Sequence, residues 1–158
     1  MPNWTCNTLT MKGIANTEEL FSVDKVGGKY FDFNKIVPEP TSKEECIQKY
    51  GERYVDKGDK PLQHSDDDKW FDWYSWHVDF WGTKWGACDT YIIDDNTISF
   101  STAWSEPTEI WSALSKKYPD ETIEVYAEYE EGFTTESKYF AGRMYSYQEN
   151  EAEWEDAV

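Results

Sequence analysis

The chain has 158 residues, 18% of them aromatic, and 32 acidic residues against 15 basic ones give a net charge of −17. The aromatic content is typical of a folded domain, and the charge argues against binding to nucleic acid or to an anionic membrane. No run approaches the roughly 18 apolar residues that a membrane-spanning helix needs, so we expect a cytoplasmic protein.

The N-terminal part of the chain is predicted to contain one strand and one short helix. Imperfect alternation of side chains over residues 5–14 indicates the strand. Asn16 and Glu19 have the spacing of a capping box, which predicts a short helix over 18–21. Two prolines in the segment 35–40 favour an extended piece outside the central sheet.

The middle of the chain is predicted to contain two helices. A short helix is expected over 44–54, and a longer one begins at residues 65–68, where a serine and three aspartates suit the positive end of a helix dipole. Large side chains then recur every three or four residues, which predicts one apolar face. The residues of this face are Trp70, Trp73, Tyr74, His77, Val78 and Trp81.

The C-terminal part is predicted to alternate strands with one helix. Strands are expected over 88–93 and 97–104, joined by an Asp-Asp-Asn turn, and a helix follows over 107–118. Clean alternation predicts a strand over 122–130, and a final strand is expected over 137–147.

The order of these elements predicts an α+β fold. If an insertion at about 38–86 is set aside, the order is β-α-β-β-α-β with one extra C-terminal strand. This is the ferredoxin-like arrangement, an antiparallel sheet with helices packed on one face, and here it carries an inserted aromatic helix. We expect a single domain over 1–147 and an acidic tail over 148–158.

The sequence contains no convincing catalytic or metal site. Three scattered cysteines form neither a disulfide framework nor a metal knuckle, and no nucleophile, phosphate-loop or dinucleotide motif occurs. His64, followed by Asp66, Asp67 and Asp68, is a weak metal pattern that helix capping explains more simply. We expect a protein that is not an enzyme and that binds no metal or cofactor.

Five of the nine tryptophans lie between residues 70 and 85. Their rings either fill a core between helix and sheet or line a cleft that stacks a planar, nucleotide-like ligand. In the second case Lys84 or Arg143 would contact the phosphate. The residues of this alternative ligand site are Trp70, Trp73, His77, Trp81, Lys84, Trp85 and Arg143.

Several segments, in this order along the chain, resemble one known family. They are MPNW at 1–4 with Cys6, Asn7 and Leu9, then FNKIVPEP at 33–40, WGTKW at 81–85, FSTAWSEP at 100–107 and YFAG at 139–142. On these segments the chain resembles the YubB-like proteins, small proteins with a ferredoxin-like domain that plasmids and prophages carry. The resemblance implies a ferredoxin-like fold, a mobile-element origin and a cytoplasmic host setting, and it implies no particular activity.

Charge and implied origin together suggest an acidic protein that inhibits a basic, nucleic-acid-binding defence protein of the host. Carboxylates along strands can imitate a phosphate array and occupy a basic groove, and residues 120–158 hold twelve acidic and two basic residues. The acidity can also serve solubility alone. The residues expected to bind the partner are Glu124, Glu128, Glu130, Glu131, Glu136, Glu149, Glu151, Glu153, Trp154, Glu155 and Asp156, with Trp154 as an exposed anchor.

Overall fold

The computed structural model describes residues 3–55 and 70–151. The strands in these ranges are β1 (Trp4–Thr10), β2 (Phe21–Val23), β3 (Lys29–Phe31), β4 (Cys88–Asp94), β5 (Thr97–Ala103), β6 (Ile123–Tyr129), β7 (Phe133–Phe140) and β8 (Arg143–Glu151). The α-helices are α1 (Lys43–Tyr50), α2 (Trp73–Phe80) and α3 (Thr108–Lys117).

Six strands form one antiparallel sheet in the order β4-β5-β1-β6-β7-β8, while β2 and β3 form a separate hairpin. β1 lies between β5 and β6 and is antiparallel to both. Strands β1, β4, β5 and β6, with α2 and α3 in their connections, have the order of a ferredoxin-like fold, and β7 and β8 extend the sheet. The predicted α+β, ferredoxin-like class is confirmed.

The core lies on the face of the sheet that the helices cover. Phe100 of β5 contacts Trp111 of α3 and Phe33, each with ring centroids 5.8 Å apart, and Phe33 contacts Trp81 at 5.5 Å. All four rings are buried. Much of the high aromatic content is therefore core packing, in which each such pair adds about 0.5–1.5 kcal/mol beyond its buried area.

Two short predicted helices differ from the structure. The segment 18–21 is a single 3-10 turn over Glu18–Leu20, because Phe21 already pairs with β3. The helix predicted over 44–54 is α1, which begins one residue earlier and stops at Gly51, where a φ of 73° breaks the helical path. The Ser42 hydroxyl caps it by accepting a hydrogen bond from the Glu45 amide.

The aromatic helix α2 begins later than the sequence predicted. The predicted start at 65–68 lies outside the described residues, and Trp70 precedes the helix. The helix starts at Trp73, and the Asp72 carboxylate caps it by accepting a hydrogen bond from the Ser75 amide at 3.2 Å. A carboxylate nearer the aromatic run thus takes the capping role that the sequence assigned to the earlier aspartates.

The apolar face of α2 was predicted only in part. Trp76, which the predicted face left out, is fully buried, whereas Tyr74 and Val78, which it included, are exposed. Five of the eight residues of this helix are large and apolar or aromatic, and they lie all around it, so its periodicity does not distinguish between two adjacent faces. Packing against Trp81 and Phe80 selects the face that contains Trp76.

The final strand predicted over 137–147 is in fact part of two strands. The chain turns at Ala141 and Gly142, which both have positive φ, and Phe140 lies opposite Arg143 across the turn. Positive φ at both central residues is the geometry of a two-residue type I′ hairpin turn. Alanine is unusual there, which is why the pattern gave no turn signal. β8 runs to Glu151, so 148–151 belong to the sheet and not to the predicted tail.

Candidate functional site

The face of the sheet opposite the helices, here called the open face, is polar and accessible. Strands β1, β5, β6 and β7 bury their side chains on the helix-covered side and present mainly Thr, Ser and Glu on the other. In residues 3–55 and 70–151 no helix packs on this second side. The described part of the chain thus leaves this polar face of the sheet uncovered by helices.

Four of the predicted partner-binding residues lie on the open face and form an acidic row. Glu124 and Glu128 project from β6. Glu136 of β7 lies opposite Tyr126, so along the strand direction it falls between Glu124 and Glu128. Glu130 follows β6, where its amide donates to the Trp4 carbonyl at 3.1 Å. Successive carboxylates are two residues apart along the strand direction, about 7 Å.

The remaining predicted residues do not join this row. Glu131 is in the turn between β6 and β7. Glu149 and Glu151 lie opposite Thr135 and Phe133, which places them on the helix side of the sheet. The last four, Glu153, Trp154, Glu155 and Asp156, lie outside the described residues.

A groove of about 300 Å³ crosses the open face at the end of the acidic row that is farther from Glu130. Its lining includes Thr8 of β1, Glu124 and Tyr126 of β6, and Glu136 and Lys138 of β7. Desolvation, followed by the nearby carboxylates of Glu128 and Glu136, raises the pKa of Tyr126. The groove is therefore a site of negative potential that contains one cation of the protein itself.

Aromatic residues gather at the end of the sheet where β1 begins. The rings of Trp4 and Trp85 are 6.3 Å apart, and the Lys84 ammonium lies over Trp85 and Trp104, 4.4 and 4.7 Å from the ring centroids. Trp104 has a φ of 73°, which is rare for a bulky residue, and its ring also contacts Tyr74. The Trp4 backbone is hydrogen-bonded to Glu130, the last carboxylate of the acidic row. The aromatic cluster therefore lies at that end of the row.

The residues of the alternative ligand site do not form one open cleft. His77 contacts both Trp73 and Trp81 in or at the edge of the core, and Trp70 packs on Phe71. Trp85 holds Lys84 in the aromatic end described above.

Arg143 is far from the other members of that set. It follows the turn that joins β7 to β8, whereas Lys84 lies near the end of β5 beside Trp104. β6 runs from one of these ends of the sheet to the other. It has seven residues of about 3.3 Å each, and the two cations are separated by about this length. One small ligand cannot contact both.

His77 is fixed by two hydrogen bonds and is not free to act as a base. Its Nδ1 lies 2.7 Å from the Lys84 carbonyl oxygen and its Nε2 lies 2.6 Å from Glu39 Oε2. A carbonyl oxygen only accepts, so Nδ1 carries a hydrogen and donates it. Burial alone would raise the pKa of Glu39, but the hydrogen bond and charge of His77, with a hydrogen bond from Asn34, lower it.

The buried carboxylate of Glu106 is a polar centre that the sequence pattern did not reveal. It accepts hydrogen bonds from Thr135 Oγ1 at 2.6 Å, Tyr129 Oη at 2.9 Å and Trp111 Nε1 at 3.2 Å. Its donors come from α3, β6 and β7, so only the fold brings them together. The carboxylate ties the helix to the two strands.

The described residues contain no arrangement typical of catalysis at a metal or a thiolate. In 3–55 and 70–151 no three His, Cys, Asp or Glu side chains come together as a metal site requires, and His64 with Asp66–68 lies outside these ranges. Desolvation and nearby carboxylates raise the thiol pKa values of Cys6, Cys46 and Cys88, which disfavours the nucleophilic thiolate. No helix in the described parts could span a membrane.

Comparison with known protein families finds a match for the C-terminal half of the chain. Residues 80–157 match the family model of the ferredoxin-like domain in Api92-like protein. The matched range starts at the last residue of α2 and includes β4 to β8 and α3, whereas the central strand β1 lies outside it. No curated protein and no solved structure matches the chain.

Proposed function

We propose that the protein is an acidic binding domain that docks its open face on the basic, nucleic-acid-binding surface of a host protein and so excludes nucleic acid from it. The observation that carries this proposal is the position of the acidic row on an uncovered sheet face, with an aromatic cluster at one end. Carboxylates guide and orient association with a basic surface, and buried rings supply most of the binding energy.

The open face is a better docking surface than the exposed edge strand. Every residue of β8 is exposed, so its unpaired backbone groups could in principle pair with another chain. However, a register irregularity interrupts its pairing with β7 near Tyr139, and Glu149 and Glu151 lie along it. Bulges and charges are the usual means by which an edge strand is kept from pairing.

The composition of the open face favours a protein partner over nucleic acid. RNA-binding domains built on a comparable four-stranded sheet stack bases on aromatic residues of the sheet. Here the central strands β1 and β5 present Cys6, Thr8, Thr10, Ser99 and Ser101 on that face. These hydroxyl groups cannot stack bases. The exposed ring of Tyr126 on β6 lies among carboxylates that repel phosphates.

The acidic row imitates a nucleic acid in charge more than in shape. One carboxylate per roughly 7 Å is about half the charge density of one DNA strand, which carries a phosphate per 3.4 Å of axis. Such a row suits electrostatic guidance toward a basic groove and leaves specificity to Trp4 and its neighbours. The resemblance to YubB-like proteins of plasmids and prophages supports a defence protein of the host cytoplasm as the target.

Capture of the tagged protein's partners from host lysate, eluted with a salt gradient, tests the proposal. We expect a nucleic-acid-binding protein that is released at moderate salt and that loses its DNA or RNA when the acidic protein is added. Replacing the four carboxylates of the acidic row by Gln should abolish capture.

A matched control removes the same charge elsewhere, through Glu44→Gln, Glu52→Gln, Glu109→Gln and Asp120→Asn at exposed positions off the open face. This control should retain capture. Equal loss in both variants would mean that only net charge matters, and a complex that resists molar salt would overturn the electrostatic basis.

A further inference from the structure

The groove on the open face has the size of a site for one side chain. Its volume of about 300 Å³ lies at the lower end of the range for small-molecule pockets, which is about 300–1,000 Å³. It is lined by polar groups from β1, β6, β7 and β8, so backbone pairing in the sheet fixes its walls. A polar groove whose walls are fixed by the sheet suits a single charged group better than a cofactor.

The walls combine an aromatic ring with a carboxylate on each side. Tyr126 lies directly opposite Glu136 in the pair of β6 and β7. Glu124 lies two residues from Tyr126 on the same face of β6, about 7 Å along the strand. A planar cation that stacks on the exposed ring of Tyr126 can therefore donate hydrogen bonds to both carboxylates.

A cation of the protein itself already lies in this groove. The Lys138 ammonium is 3.7 Å from Glu124 Oε1, and about half of each side chain is exposed. An exposed pair of this length is worth at most about 1 kcal/mol, so another cation can displace it. Within the described residues Glu136 has no salt-bridge partner, which leaves one wall of the groove open to a donor.

We infer that this groove takes an arginine side chain of the basic partner, which replaces Lys138 beside Glu124 and stacks on Tyr126. The inference rests on the proposed function, because it identifies a contact of that docking surface. Arginine fits better than lysine, since its planar guanidinium stacks on a ring and donates to two carboxylates at once. Lysine offers a strongly hydrated point charge that can do only part of this.

Titration with N-acetyl-arginine amide and N-acetyl-lysine amide tests the inference directly. Both probes carry one positive charge, and amide NMR shifts of the protein at low salt report where and how tightly each binds. We expect the arginine probe to bind at least about threefold more tightly and to shift amides of β6 and β7 around the groove. Equal affinities, or shifts spread over the acidic surface, would overturn the inference.

Matched variants separate the groove from the general charge of the protein. Tyr126→Phe retains the ring and should bind the arginine probe as the wild type does, whereas Tyr126→Leu should lose about threefold. Lys138→Met removes the competing cation and should tighten binding about two- to fivefold. Lys25→Met removes the same charge from an exposed turn and should change little; an equal gain in both lysine variants would contradict displacement.

These outcomes are independent of those that test the proposed function. A protein that captures a basic partner but binds both probes equally retains the docking surface and has no arginine site. A protein that prefers the arginine probe at the groove but captures no nucleic-acid-binding protein retains the site, and the proposed function is then wrong.

Discussion

Cys6 lies directly opposite Glu128 in the antiparallel pair of β1 and β6, at the centre of the open face. Among the three cysteines Cys6 is exposed, Cys88 is half-buried and Cys46 is buried. Desolvation by surrounding groups and, second, the Glu128 carboxylate raise the pKa of the Cys6 thiol. The reactivity of this thiol therefore depends on the acidic row at the place where the partner is proposed to dock.

Glu128→Gln should accelerate alkylation of Cys6 by iodoacetamide at pH 8. Loss of the carboxylate lowers the pKa of the thiol, and the reactive thiolate becomes more abundant at that pH. Peptide mass spectrometry measures the rate at each cysteine. Cys88 has its own carboxylate neighbour, Asp89, and its rate should not change; equal acceleration at both positions would indicate loosening of the fold.

Glu39→Gln should lower the free energy of unfolding by about 1–3 kcal/mol at pH 7, because a charge-assisted hydrogen bond to His77 is lost. The folded-state pKa of Glu39 is lowered, so its contribution is complete above the unfolded value and disappears as the pH falls through the folded value. Urea unfolding at several pH values should show the difference from wild type shrinking below about pH 4.5. A difference that grows on acidification would contradict this assignment.

Glu106→Ala should destabilise the protein by about 3 kcal/mol, because it leaves the buried donors of Thr135, Tyr129 and Trp111 without an acceptor. Glu106→Gln retains one acceptor oxygen and should cost less. Tyr129→Phe removes a single donor and should cost about 1 kcal/mol. Thermal and urea unfolding of the three variants measure this ranking, and an Ala variant as stable as wild type would exclude the proposed tie between helix and strands.

Trp104→Gly should be more stable than Trp104→Ala by about 1 kcal/mol, the reverse of the usual order. Both variants lose the ring contacts to Lys84 and Tyr74, but only glycine relieves the backbone at a φ of 73°. Chemical unfolding of the pair measures the difference. If alanine is the more stable of the two, the left-handed backbone at this position is not under strain.

The sequence predicted the fold class because the patterns that indicate its strands and turns each lie within a short segment of the chain. Strict alternation in 123–129 and the short turn between β4 and β5 determine which faces are buried and which strands pair. The turn at Ala141 and Gly142 was missed because its unusual φ values are imposed by the packing of the hairpin. Hydrogen bonds join Gly142 to Ser112 and Ser115 of α3, and no local sequence pattern records them.

The candidate site was predictable in composition but not in arrangement. Glu124, Glu128 and Glu136 follow from alternation once their strands are known. The groove depends on which strands are neighbours, since β1 and β8 contribute to it from opposite ends of the chain. The Lys84 ammonium contacts both Trp85, its neighbour in the sequence, and Trp104, 20 positions away. Nothing in the sequence pattern distinguished these clustered rings from the rings of the core.

The central place of β1 in the sheet has a consequence for how the chain folds. Asn7 donates to the Phe100 carbonyl oxygen across 93 positions of sequence, and Leu9 must also pair with Val125. Pairings this distant close slowly, so the sheet cannot be completed until the chain has been synthesised past β6. Until β5 and then β6 have been synthesised, β1 lacks both or one of its partners. Its three threonines and one asparagine make a strand of low hydrophobicity that resists premature aggregation.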